Sequence, residues 1–271
     1  MENIKTPYQT VLTIAGSDSG GCAGIQADIK SISACGAYAA SVITATTAQN
    51  TQGVTDIHAI PVDHLEKQLE AVFSDIEFDA IKIGMLHSCE VINTIASKLS
   101  IYKAKNIVLD PVMVATSGDK LITEEAIDCL KQFLPKATVI TPNRKEAEIL
   151  VGHAIDKDNC EATAREIGTQ FKTSVVLKGG HLDPTTNDML DILYEYKTDQ
   201  LFVIKNPRID TNNTHGTGCS LSSSIATFLG KGDQLEEAVR KACQYVNQSI
   251  AKGKDKALGR GNGPINHFGL K

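Results

Sequence analysis

No stretch of this chain reaches the roughly 18 consecutive apolar residues that a membrane-crossing helix needs, so no spanning segment is expected. No Pro/Gly/Ser-rich tract or block of like charge divides it either, and it reads as one α/β domain over residues 1–271. A basic excess is also missing. The formal net charge is −5, whereas nucleic-acid binders carry a basic face. The single basic run, Lys252, Lys254, Lys256 and Arg260, reads as a solvated helix end and loop. The seven cysteines include no C-x-x-C pair, which predicts reduced thiols rather than a disulfide frame or a zinc site. Residues Met1 to Gln9 are polar and lead straight into a strand, so a cytoplasmic chain without a signal peptide is expected.

What is present is an alternation of short β-branched runs with amphipathic segments of helix length. Val11 to Ala15 reads as a buried strand ending at Gly16, and Gly24 to Ala34 as the helix after it. Ser41–Thr47, Val54–Ile60, Ala80–Ile83, Ile107–Leu109, Thr138–Ile140 and Ser174–Leu177 read as further strands. Asp63-x-x-Glu66 and Asp233-x-x-Glu236 have capping-box spacing, and Thr123 stands where it would cap a third helix. Such alternation predicts a mostly parallel sheet covered on both faces, with ligands beyond the carboxyl ends of its strands.

Several strand-end loops carry candidate chemistry. In Asn213-Thr214-His215-Gly216-Thr217-Gly218-Cys219, two glycines flank a threonine at a predicted helix start. Glycine lets consecutive N–H groups converge, and a helix N-terminus adds unpaired donors and partial positive charge, which together suit phosphoryl oxygens. The same field is expected to lower the thiol pKa of Cys219 and favour its thiolate. Asn143-x-x-Glu146 reads either as a helix cap or as a site where Glu146, with Asp110 from a neighbouring strand end, holds hydrated Mg²⁺. Lys178 in Lys178-Gly179-Gly180-His181 either meets a nucleotide phosphate or is solvated at the sheet's rim. The loop Gly16 to Gly24 lacks a Walker lysine and reads as a small-residue wall against a flat ligand.

Taken in order, Thr13-Ile14-Ala15-Gly16-Ser17-Asp18, Ala23 to Asp28, Ala48-Gln49-Asn50-Thr51, Lys82 to Leu86, Leu109 to Met113, Thr141-Pro142-Asn143, Lys178 to His181 and Asn213 to Cys219 resemble the hydroxymethylpyrimidine/phosphomethylpyrimidine kinases of the ribokinase-like superfamily. The resemblance runs from Val11 to Phe268. One departure is Cys22, where the family usually has glycine.

The resemblance implies a three-layer α/β/α kinase, with ATP along the C-terminal half and Mg²⁺ as its companion ion. It implies a pyrimidine alcohol bound by Gly16, Asp28, Gln49, Met85 and Val112. Lys178, Asn143, Thr211 and Asn213 would face ATP, Asp110 and Glu146 the metal. Gly216, Thr217 and Gly218 would hold the moving phosphoryl group while Cys219 acts as base. A homodimer is implied as well, with no nucleic-acid or membrane partner.

Gln49 carries a donor and an acceptor side by side, matching an aminopyrimidine's amino group and ring nitrogen. Pyridoxal kinase on the same scaffold is the nearest rival. Its members tend to have Met at the Gln49 position and Cys-Lys-Gly after a Pro-Val-Met-Val segment, where this chain continues Ala115-Thr116-Ser117-Gly118-Asp119. A nucleotide-sensing domain without catalysis is the rival from another class.

Overall fold

Alternating strands and helices build one nine-stranded sheet with helices on both faces, in a computed structural model that describes residues 6–113, 122–179 and 187–270. The strands are β1 (Thr10–Asp18), β2 (Tyr38–Asn50), β3 (Gly53–Ala59), β4 (Ala80–Ile83) and β5 (Ile107–Leu109). They continue with β6 (Val139–Ile140), β7 (Ser174–Leu177), β8 (Asp188–Glu195) and β9 (Gln200–Pro207). Their spatial order is β3-β2-β1-β4-β5-β6-β7-β8-β9. The block from β2 to β7 is parallel, and β3, β8 and β9 add antiparallel edges.

The helices are α1 (Gly24–Ala34), α2 (Val62–Phe73), α3 (Cys89–Ile101), α4 (Glu124–Phe133), α5 (Arg144–Val151), α6 (Cys160–Phe171), α7 (Thr217–Gly230) and α8 (Leu235–Gly253). Because side chains alternate across a strand, each inner strand feeds two cores. Leu12, Ile14, Ile81, Ile83, Leu109, Ile140, Val175 and Leu177 pack with α2 to α6. Val11, Ala80, Val108, Val139 and Val176 pack with α1, α7 and α8. The result is the three-layer α/β/α arrangement.

The α7 helix buries Ser220, Ser222, Ser223, Ser224 and Thr227 as well as apolar residues. Ser224 and Thr227 donate to the helix's own carbonyls, at 2.6 Å to Ser220 O and 2.8 Å to Ser223 O. Small side chains satisfied in this way let α7 lie close across β1, β4 and β5. Its N-terminus therefore opens at the carboxyl ends of the central strands.

Several local expectations need correction. β1 does not stop at Gly16 but runs to Asp18, with an irregularity in its pairing to β2 between Ala15 and Ser17. Asp63 caps nothing: α2 starts after Pro61, and Asp63 sits in the first turn, 3.5 Å from Lys67. Asp233 is likewise no cap; α8 starts after Gln234, and the Asp233 carboxylate takes Lys241 at 2.9 Å. Thr123 does cap α4, accepting from the Ala126 N–H. The α6 helix was not foreseen. The cysteines are not all reduced: Cys89 on α3 and Cys129 on α4 form a disulfide across two neighbouring helices. No helix among the described residues is long and apolar enough to cross a membrane.

Candidate active site

Gly216 caps α7 with φ +84°, a conformation that favours glycine. A Cβ there would also run into the carbonyl of Cys22, so the β1–α1 loop is pressed against the helix mouth. The first helical bond is Ser220 N–H to Gly216 O at 2.9 Å. Among the described residues, the Gly218 and Cys219 amides find no protein acceptor. These half-buried donors sit at the positive end of the helix dipole, an arrangement suited to an anion.

Charged groups flank that helix mouth. A Cβ on Gly218 would lie 3.3 Å from Lys178 Nζ and 3.5 Å from Asp110 Oδ2. Lys178, just past β7, is 2.8 Å from Asp110 Oδ1 and 3.9 Å from Glu146 Oε2. Thr141 Oγ1 donates to Asp110 at 3.0 Å. Glu146 completes a capping box by accepting the Asn143 N–H at 2.8 Å, and the same carboxylate faces the Lys178–Asp110 pair. Burial pushes the Glu146 carboxyl up to about 7, Lys178 pulls it down and Asp110 pushes it up again. Two buried carboxylates converging on one point form a hard-oxygen donor set, which fits Mg²⁺ with most of its shell as water. Asn143 keeps its side-chain NH₂ free of protein acceptors among the described residues, while its Oδ1 caps α5.

Cys219 sits in the first turn of α7 and is half-buried. The expected lowering of its pKa is not what the surroundings produce. Burial pushes the thiol up to about 11; Lys82 counters, Asp28 and Asp110 push it further up, and the Gly24 N–H pulls it down. Burial of the thiolate outweighs the helix N-terminus, and the nearby Asp28 and Asp110 carboxylates add to the rise.

The β1–α1 loop is organised around Asp18. Its carboxylate accepts the N–H groups of Gly20 at 2.8 Å, Cys22 at 2.9 Å and Ala23 at 2.7 Å. Cys22 is not among the residues with positive φ, whereas Gly21 and Gly24 are, so a non-glycine residue is tolerated there. Ser19 clamps the Gln49 backbone from both sides, donating to its carbonyl at 2.8 Å and accepting its N–H at 2.9 Å. Gly16 faces Met85, whose Cε would be 3.1 Å from a Cβ at that glycine. Gly16 and Met85 thus meet at the β1 end, and Gln49 is tied to the same loop through Ser19. Val112 is half-buried beside Asp110 O, to which its N–H donates at 2.8 Å.

Three assigned residues belong elsewhere. Asp28 is fully buried and cannot touch a substrate: it accepts Thr13 Oγ1 at 2.6 Å, Ser223 Oγ at 2.6 Å and Lys82 Nζ at 2.7 Å. Asn213 spends both side-chain N–H groups on the end of α8, on Gly253 O and Lys256 O, each at 2.7 Å. Thr211 donates to Lys254 O at 3.1 Å. The last two hydrogen-bond to carbonyls at and just past the end of α8. Gly180, His181 and Ala115 to Asp119 lie outside the described residues.

Sequence reasoning missed Lys82, a lysine enclosed in the strand Ala80-Ile81-Lys82-Ile83, and His215, which meets Gln49. The charge inside an otherwise apolar strand was the available signal for Lys82. His215 carried none beyond its place beside Gly216.

A family model described as phosphomethylpyrimidine kinase matches residues 18–266. The thiamine biosynthesis bifunctional protein ThiED of Geobacter sulfurreducens is 48% identical over 270 residues, covering 98% of this chain and 54% of that protein. This chain spans about half the length, or less, of such fused relatives. The hydroxymethylpyrimidine/phosphomethylpyrimidine kinase of Rhizobium meliloti is 46% identical, over 95% of this chain and 96% of its own length. Among solved structures, the phosphomethylpyrimidine kinase of Clostridium difficile superposes with TM-score 0.78 at 42% identity, over 89% of this chain and 99% of that one. An ADP complex of Bacillus subtilis pyridoxal kinase gives TM-score 0.87 at 32% identity, over 96% and 98%. With a glycine-flanked helix mouth and a carboxylate pair at these strand ends, and with this breadth of match, the chain belongs to the phosphomethylpyrimidine kinase family.

Proposed function

We propose that this chain transfers the terminal phosphoryl group of ATP to 4-amino-5-hydroxymethyl-2-methylpyrimidine, and then to the monophosphate, giving the diphosphate used in thiamine synthesis. The observation that carries the reading is the adjacency of a base-reading residue and a phosphate cradle: Gln49 touches His215, whose neighbour Gly216 caps α7. Identities of 41–46% to hydroxymethylpyrimidine/phosphomethylpyrimidine kinases, against 29–32% for the pyridoxal kinases of known structure, support the pyrimidine over pyridoxal.

The acceptor is a primary alcohol, a poor nucleophile until it loses a proton. Cys219 as thiolate would take that proton, and the Gly218 and Cys219 amides would hold the phosphoryl oxygens as charge shifts toward them. Lys178 would place its ammonium beside the nucleotide phosphates. Asp110 and Glu146 would hold Mg²⁺, which supplies charge neutralisation when bound. In the second transfer the acceptor is a phosphate with second pKa of about 6, already ionised at neutral pH, so no base is required.

The same reading takes residues 1–271 as one kinase domain that acts in the cytoplasm as a homodimer. Its test is a kinase assay offering the pyrimidine alcohol, its monophosphate and pyridoxal separately, with products identified by mass and oligomeric state by sedimentation. Phosphorylation of pyridoxal in preference to the pyrimidine would sink the substrate assignment; no ADP release with any of them would sink the enzyme.

A further inference from the structure

The Gln49 amide is held from two sides. Its Nε2 lies 3.1 Å from His215 Nε2, and its Oε1 lies 3.1 Å from Thr47 Oγ1. An amide nitrogen only donates, so in this arrangement His215 Nε2 bears the lone pair and the ring proton is on Nδ1, an assignment made from the hydrogen-bond network. A glutamine amide has two N–H donors and two oxygen lone pairs. One of each is used here, which leaves one donor and one acceptor, side by side, for a ligand.

Thr47 does not fix which way round they point. Its single hydroxyl proton has two acceptors in reach, Ser17 O at 3.0 Å and Gln49 Oε1 at 3.1 Å. If it donates to Ser17, it can accept from a reversed amide equally well. His215 is the partner whose state decides: a lone pair at Nε2 demands the Gln49 N–H, whereas an N–H there demands the Gln49 oxygen.

We infer that His215 is a positioning residue that sets the donor–acceptor order Gln49 presents to the substrate, and so couples base recognition to the loop that cradles phosphate. This rests on the pyrimidine-kinase reading above. The coupling is direct because His215 is covalently next to Gly216. Its backbone is also pinned, its N–H donating to Gly263 O at 3.1 Å with a bridge to Pro264.

The surroundings favour the neutral ring. Burial lowers the His215 pKa, with Asp18 pulling the other way. The titratable groups facing it are Asp18 and Cys22 of the β1–α1 loop, whose ligand atoms and a His215 ring nitrogen lie within 4.8 Å of one another. From β2 it meets neutral Gln49, and from the C-terminal segment the backbone of Gly263 and Pro264. Protonation puts N–H at Nε2 and selects the reversed amide, so pyrimidine affinity falls on the acid side of neutrality.

The test measures KM for the 4-amino-pyrimidine alcohol and for its 4-oxo analogue, whose ring nitrogen and exocyclic group have the opposite donor–acceptor order, in wild type, His215→Leu and His215→Asn. Leu cannot accept a hydrogen bond and Asn is too short to reach. Each variant is expected to raise KM for the 4-amino compound about tenfold, the scale of one lost hydrogen bond. The preference over the 4-oxo analogue should shrink by the same factor, while KM for ATP moves much less. In wild type, 1/KM for the 4-amino compound should fall below pH 6.5, the ordinary histidine value, and that limb should flatten in both variants. Titration of the substrate's own ring nitrogen would leave the limb in place. An unchanged preference and a persisting acid limb overturn the inference, and the wild-type profile alone does so if it is flat, even should neither variant fold. Gln49→Met is the control for the underlying reading: if it too leaves KM unchanged, the binding site itself is misplaced.

Discussion

Lys82 Nζ lies 2.7 Å from Asp28 Oδ2, and neither side chain reaches solvent. Burial pushes the lysine pKa down, but Asp28 first, then Cys219 and Asp110, push it up, and the net direction is upward. Asp28 also holds Ser223, which stands four residues after Cys219 and therefore on the same face of α7. The pair thus joins β1, α1, β4 and α7 below the N-terminal end of that helix, and its lysine draws the Cys219 thiol downward.

Asp28→Asn leaves an ammonium enclosed without its counter-charge. Breaking a buried pair from one side costs about 3–5 kcal/mol, and urea unfolding should show a loss of that size. Lys82→Met together with Asp28→Leu should recover most of it, since replacing both charges by apolar groups is often neutral. A loss of a few tenths in the single variant would mean that the charge finds water.

Cys219 gives the pH prediction. In the proposed mechanism the thiolate is the reactive form, and burial holds the thiol at about 11, so the group is mostly protonated at neutral pH. The rate of the first transfer should therefore climb about tenfold per pH unit above 7, approaching a plateau near the thiol pKa. The second transfer, which needs no base, should stay nearly level. Cys219→Ala should slow the first step by about 10²–10⁴ and the second by far less. Equal losses in separately measured single-turnover rates would remove the thiol from proton transfer.

One substitution separates the cap that Glu146 makes from the metal role proposed for it. Glutamine also serves at the third position of a capping box, so Glu146→Gln keeps the bond from the Asn143 N–H and the start of α5. It removes the carboxylate charge. Thermal unfolding should shift little, while the Mg²⁺ concentration for half-maximal rate rises about tenfold or more. An unchanged Mg²⁺ requirement would leave the glutamate as a cap only.

Asn213→Ala tests its reassignment. Stripping the donors from Gly253 O and Lys256 O should destabilise the protein by about 1–3 kcal/mol, read by denaturant midpoint, with KM for ATP little altered. A large rise in that KM with unchanged stability would return the residue to the nucleotide site.

What the sequence reveals is local. The Gly216–Cys219 cradle, the Asn143–Glu146 box and the Thr123 cap are each written in fewer than ten consecutive residues, so spacing and residue type suffice to find them. The boxes at Asp63 and Asp233 have the same spacing and fail, one because Pro61 starts the helix two residues earlier, the other because Lys241 claims the carboxylate. Longer-range relations leave no trace in pattern. Lys82 and Asp28 are 54 residues apart, Gln49 and His215 are 166, and the two bridged cysteines are 40. Only the folded sheet brings them together, and with them comes the desolvation that reverses the Cys219 shift.

The contact between Gly216 and the Cys22 carbonyl leaves no room for even one methyl group. Whatever displaces the early loop must therefore displace the late helix start, and the reverse. Grafting a new acceptor pocket onto this scaffold would thus require redesigning both ends of the polypeptide at once, since neither segment has slack in which to drift alone.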